Sequence, residues 1–123
     1  MAVPILKLGD VLIASIQVAQ TDAELLALRD RLTGQVGDAR ALGVIIDVSA
    51  LDVMDSFATR TLRAIAYSSR LRGAHTVVVG ISPEVAFAMV QLGLELGAVS
   101  TALDLDDAVA QLEEHRKSEQ RRG

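Results

Sequence analysis

V-I-I-D-V-S-A-L-D-V-M-D-S-F-A, residues 44–58, carries an apolar strand through a polar loop into a helix. Val44 to Val48 is short and rich in β-branched residues, the pattern of a central strand covered on both faces. Asp47, near its end, is the polar exception. Ser49 to Met54 read as a loop, and Asp55 and Ser56 open a helix. Asp55 is placed to accept a backbone N–H as the cap. Ser56 then occupies the first helical position, expected to be exposed and close to the positive end of the helix dipole.

Downstream, Ala58, Leu62, Ile65 and Ser69 recur at helical spacing and form the inward stripe. Arg60, Arg63, Tyr67 and Arg70 form the opposite one, and Gly73 ends the helix. Thr76 to Val79 is a second apolar strand closed by Gly80. Ser82 and Pro83 start another helix, a cap followed by proline in the first turn. Its apolar face is Val85, Met89 and Leu92, with Gly93 or Gly97 as its end. Val99 to Ala102 is a short strand. Asp104 caps a last helix, with Leu105, Ala108, Val109 and Leu112 as its buried positions. From Glu113 the sequence is charged and unpatterned. The domain is expected to occupy residues 1–115, with 116–123 a disordered charged tail.

Upstream, Ile5 to Leu8 and Val11 to Gln17 read as strands joined by a tight turn at Gly9 and Asp10. Leu12, Ala14, Ile16 and Val18 are expected to face the core. Thr21 and Glu24 form a capping box for a helix. Its stripe is Leu25, Leu28, Leu32 and Val36, and Gly37 is its expected end. The order β-β-α-β-α-β-α-β-α predicts a single α/β domain. Its sheet is mostly parallel, with an N-terminal hairpin at the edge and about four helices. In such folds the functional surface lies at the carboxyl ends of the strands.

Composition narrows the chemistry. The 123 residues suit one domain. Half are hydrophobic but only 2% are aromatic, so Val, Ile, Leu and Ala must build the core. Scarce aromatics and a net charge of −4 both argue against a nucleic-acid partner. With no cysteine there are no disulfides, thiolate metal sites or cysteine nucleophiles. No apolar run reaches the roughly 18 residues of a membrane span. Lys7 interrupts the apolar start, which does not resemble a signal peptide. The expectation is a cytoplasmic protein with no membrane association.

Chemistry-bearing residues are few. His75 and His115, at a strand edge and in the charged tail, do not suggest a Ser-His-Asp arrangement. Asp47, Asp52 and Asp55 cluster around one loop and could attract a hard cation. The simpler reading makes Asp47 a strand end and Asp55 a cap. No glycine-rich phosphate loop is present. No enzyme activity, metal or cofactor is expected. Ser56 admits two readings of equal weight: a second cap, or a modification site. A phosphate there would add about −1.5 to −2 charge beside Asp55. The helix dipole would stabilise it by about 0.3–1 kcal/mol.

The segment D-V-S-A-L-D-V-M-D-S-F-A, residues 47–58, resembles the phosphorylation loop of STAS domains, the anti-sigma factor antagonist fold. P-I-L-K-L at 4–8, V-L-I-A-S-I-Q at 11–17 and R-L-R-G-A-H-T-V-V-V-G-I-S-P-E-V-A at 70–86 extend the resemblance. Q-L-G-L at 91–94 and T-A-L-D-L at 101–105 continue it through most of the chain. Many antagonists carry D-S-S-G at the loop. D-S-F-A at 55–58 points instead to the RsbS branch. RsbR-type sensors add a long N-terminal sensory domain, which these 123 residues do not hold.

The resemblance implies a non-catalytic switch and scaffold of a bacterial stressosome. Its partners would be an RsbT-like serine kinase, RsbR-like sensors and an RsbX-like phosphatase. The switch residue would be Ser56, with Asp47, Asp52 and Asp55 as loop support. Arg60, Arg63, Tyr67 and Arg70 would be available for partner contact. A homo-oligomer, formed as a dimer through the first two strands, is also implied. The alternatives are a purely structural STAS scaffold, a simple anti-sigma factor antagonist, or a nucleotide- or cation-binding domain.

Overall fold

The computed structural model describes residues 2–91 and 99–122. Five strands form one sheet in the order β1-β2-β3-β4-β5. They are β1 (Ile5–Leu8), β2 (Val11–Ser15), β3 (Gly43–Asp47), β4 (His75–Val79) and β5 (Ser100–Ala102). β1 runs antiparallel to β2, and every other pairing is parallel. The helices are α1 (Asp22–Ala39), α2 (Ser56–Leu71), α3 (Pro83–Gln91) and α4 (Leu105–Arg122). This is the α/β architecture expected from the alternation of strands and helices.

The period-two alternation of each strand sorts its side chains between two cores. Leu12, Ala14, Val44, Ile46 and Val78 pack with α1, α2 and α3 on one face. Ile45, Val77 and Val79 meet Ala108 and Leu112 of α4 on the other. Register enforces the sorting: Leu12 pairs Val44, and Ile45 pairs Val77. β3 is thus buried on both faces, as its composition requires.

The α1 capping box is formed: Thr21 Oγ1 accepts the Glu24 N–H at 3.1 Å, and Glu24 Oε1 accepts the Thr21 N–H at 2.9 Å. Leu25, Leu28, Leu32 and Val36 are all buried. Several expectations are corrected. Gly37 does not end α1, which runs to Ala39 and closes on Arg40 in the left-handed conformation. β2 stops at Ser15, and Val18 lies beyond it, exposed rather than in the core. Leu105 and Val109 are also exposed, and Ala108 and Leu112 are the α4 residues buried in the second core. Leu92, Gly93 and Gly97 lie outside the described residues.

The charged C-terminal segment, expected to be a disordered tail from 116, continues α4 as helix to Arg122. Pairs at helical spacing line it: Glu113 with Arg116 at 3.9 Å, Glu114 with Lys117 at 3.9 Å, His115 with Glu119 at 3.8 Å. Each such pair contributes only about 0.2–0.5 kcal/mol. Tertiary anchors add to them. Arg116 bonds Asp10 of the β1–β2 turn, and Leu112 lies over Gly43. A β-carbon at Gly43 would come within 2.7 Å of Leu112 Cδ1, so the missing side chain lets α4 settle on β3.

Leu32 is completely buried in the larger core, whereas Leu71 is 88% exposed. Leu32→Ala should therefore destabilise the domain by about 2–5 kcal/mol. Leu71→Ala should stay within about 0.5 kcal/mol of the parent. Urea unfolding of both variants checks the contrast.

Candidate functional site

β3 delivers Asp47 to the carboxyl edge of the sheet, half-buried. Its Oδ1 accepts the Ser49 N–H at 2.9 Å and the Ser49 hydroxyl at 2.6 Å. The carboxylate is thereby spent on its own turn. Val48 continues the ladder by donating to the Val79 carbonyl at 2.9 Å. Leu51 packs against the core and Met54 is buried, so the loop is pinned at two points. Asp52 and Val53 between them are exposed.

Asp55 caps α2 as expected, its Oδ1 accepting the Ala58 N–H at 2.8 Å. Thr59 and Thr61 are buried on this helix because each hydroxyl donates to the carbonyl four residues back, at 3.1 and 2.8 Å. Leu62, Ile65 and Ser69 are buried, while Ala58 is only half-buried. Ser56 is the first residue of α2. It is half-buried rather than fully exposed, and Arg60 reaches back to place Nη2 3.4 Å from its hydroxyl oxygen.

The three acids are not brought together. Asp47 holds a turn, Asp55 holds a helix and Asp52 points to solvent. Among the described residues no three His, Asp or Glu side chains could share a metal ion. The stripe of Arg60, Arg63, Tyr67 and Arg70 is divided along the helix. Arg60 stands beside Ser56, Arg63 is half-buried, and Tyr67 and Arg70 are exposed together with the guanidinium 5.7 Å from the ring centroid. Arg70 belongs to the opposite end of the molecule, where it lines a cavity with His75 and His115.

Gly80 is a site residue whose role was not legible from the sequence. Its φ of +81° is one that side chains rarely adopt, and a β-carbon there would lie 2.4 Å from Ser49 Cβ and 2.8 Å from Ser49 Cα. Its N–H donates to the Ala102 carbonyl at 3.1 Å. The loop after β3 can fold over the end of β4 only because this position has no side chain. An isolated glycine after an apolar strand is its only trace in the sequence. No described helix is long and apolar enough to cross a membrane.

Asp55→Ala should cost about 1 kcal/mol, and Asp55→Ser much less, because serine caps as well as aspartate. Gly80→Ala should cost about 1–3 kcal/mol through the left-handed backbone and the Ser49 contact. Thermal and urea unfolding measure both.

The sequence profile of the STAS domain matches residues 4–108. The structure of a Ser-to-Glu variant of RsbS from Moorella thermoacetica superposes with a TM-score of 0.82 at 33% identity. That match covers 94% of this chain and 97% of the other. A chain from a structure titled "Molecular architecture of the stressosome, a signal integration and transduction hub" gives 0.79 at 34%, covering 92% and 98%. The RsbT co-antagonist protein RsbRD of Bacillus subtilis (strain 168) is 31% identical over 67 residues, 54% of this chain. The aligned region is 24% of that relative's own length. With its sheet order, its capped loop-to-helix step and these likenesses, the chain belongs to the STAS domain family and within it is similar to RsbS-type members.

Proposed function

We propose that this protein is a phosphorylatable switch and scaffold of a stressosome, holding an RsbT-like serine kinase until Ser56 is phosphorylated. One observation carries the reading. Ser56 opens α2 on the carboxyl edge of the sheet, with Asp55 capping the helix and Arg60 Nη2 at 3.4 Å.

The chemistry supports it. Asp55 engages the Ala58 N–H, which leaves the amides of Ser56 and Phe57 at the helix start as donors for an anion. A phosphate on Ser56 would also meet the Arg60 guanidinium one turn away. Asp52 and Asp55 oppose it, so the modification is tolerated without being buried. The exposed corner of the loop around Asp52 and Val53 changes charge, and a kinase docked there loses its fit. In this reading the protein is acted upon and has no catalytic role. RsbR-like sensors share the assembly, and an RsbX-like phosphatase resets the serine.

Assembly has a natural surface at the open sheet edge. Leu6 and Leu8 on β1 are exposed, and their pairing with Ile13 and Val11 puts them on the sheet face that α4 covers only in part. A second copy packed over the first two strands would cover these leucines, giving the dimer from which a larger scaffold grows.

Incubation with an RsbT-like kinase and ATP, followed by mass spectrometry, tests the switch. The expected product is one phosphate on Ser56, absent from Ser56→Ala. Ser56→Asp should bind the kinase about tenfold or more weakly than Ser56→Ala. Equal binding by the two variants would show that Ser56 is only part of the helix start and that the protein is a passive scaffold.

A further inference from the structure

At the amino ends of the strands, opposite Ser56, α4 overhangs the sheet and encloses a cavity of about 820 Å³. That volume lies within the range of roughly 300–1,000 Å³ typical of small-molecule sites. Its apolar walls come from Val11, Leu42 and Leu112. Arg70, His75, His115 and Arg116 supply its polar rim, with Glu119 as the one carboxylate among the lining residues.

The charges do not cancel. Arg116 is engaged by Asp10, and Glu119 lies 3.8 Å from His115. The Arg70 guanidinium lies 5.7 Å from the Tyr67 ring centroid, and among the described residues no carboxylate pairs with it. The two histidines stack at 4.2 Å with a 15° interplanar angle and form one flat wall. His75 Nε2 also shares a 2.8 Å hydrogen bond with Ser100 Oγ, which fixes the ring. Burial, then the neighbouring charges of His115 and Arg70, hold His75 below its ordinary pKa. Arg70 lines the recess beside this wall, and its positive charge has no paired carboxylate among the described residues.

We propose that this cavity is a binding site for a small organic anion, a short apolar chain ending in one carboxylate or phosphate. The chain would lie against Leu42 and Leu112, with the anionic head at Arg70. An apolar recess with one unmatched guanidinium rejects cations by charge. It favours anions over neutral molecules because an anion alone can neutralise that charge as well as accept its hydrogen bonds. The inference stands apart from phosphorylation at Ser56, since it uses neither that residue nor its loop.

Histidine proton resonances of the full chain report the site directly. Hexanoate, hexyl phosphate, hexanol and inorganic phosphate are titrated separately. At least one of the two hexyl anions should shift the His75 and His115 signals saturably, and which one binds tells carboxylate from phosphate recognition. Hexanol and inorganic phosphate should each bind about tenfold or more weakly than that anion. Arg70→Gln should remove the preference for the anion over hexanol. Leu42→Trp, at a half-exposed position that fills the recess, should block binding with the urea midpoint unchanged. No saturable shift with either anion, equal binding of hexanol, equal binding of inorganic phosphate, or full affinity in Arg70→Gln would each overturn the proposal.

Discussion

Everything in this domain follows from burying β3 on both faces. Val44, Ile45 and Ile46 have no exposure at all. With so few aromatic residues, neither face can be closed by one large side chain. Each needs a layer of helix laid across small β-branched residues. Val44 and Ile46 are answered by α1, α2 and α3, and Ile45 by α4. A polar residue can enter such a strand only at its end, where Asp47 stands. Its carboxylate is satisfied by Ser49 in the turn it starts, and Ser49 in turn occupies the space left by Gly80. The start of α2 is thus set by the strand before it, and with it the position of Ser56.

The same constraint separates the two ends of the sheet. Parallel strands send all their carboxyl ends one way, so the capped helix start lies on one edge and the α4 overhang on the other. α2 runs between them, from Ser56 to Leu71. At 1.5 Å per residue, Ser56 and Arg70 are roughly 21 Å apart along its axis. The basic stripe seen in the sequence is therefore two features. Arg60 stands beside the serine, and Arg70 lines the recess.

What was legible in the sequence is what local physics decides. Period-two and helical spacing gave every element, and the caps at Thr21 and Asp55 marked helix starts to the residue. The shortfalls are decisions made by distant contacts. Val18 continues the β2 alternation but leaves the sheet, because the β3 register ends at Ser15 opposite Asp47 and Ile16 adds one more bond, its N–H donating to the Asp47 carbonyl at 2.9 Å. Leu105 and Val109 have helical spacing, yet a helix on one side of a half-covered sheet buries a narrower stripe than a fully enclosed one. The polar end of α4 lacks any apolar pattern, and its anchor is Asp10, 106 positions away. Nothing local reveals that His75 and His115 stack, or that Gly80 must admit Ser49.

The energetics at Ser56 bear on how such a switch would act. The helix dipole favours an anion there by about 0.3–1 kcal/mol. An exposed pair with Arg60 adds at most a similar amount. Asp55, one residue away, and Asp52 in the loop act against both. These contributions are small and of opposite sign, so a phosphate on Ser56 would leave the fold almost where it was. The α2 cap belongs to Asp55, and the loop is pinned by Leu51 and Met54, neither of which touches the serine hydroxyl through a hydrogen bond. Internal rearrangement is then a poor way to transmit the modification. Under the proposed function the signal would have to be read from outside, by a partner surface that meets a dianion where it had met a hydroxyl. An acidic domain with a half-buried serine at a capped helix start is suited to that kind of readout.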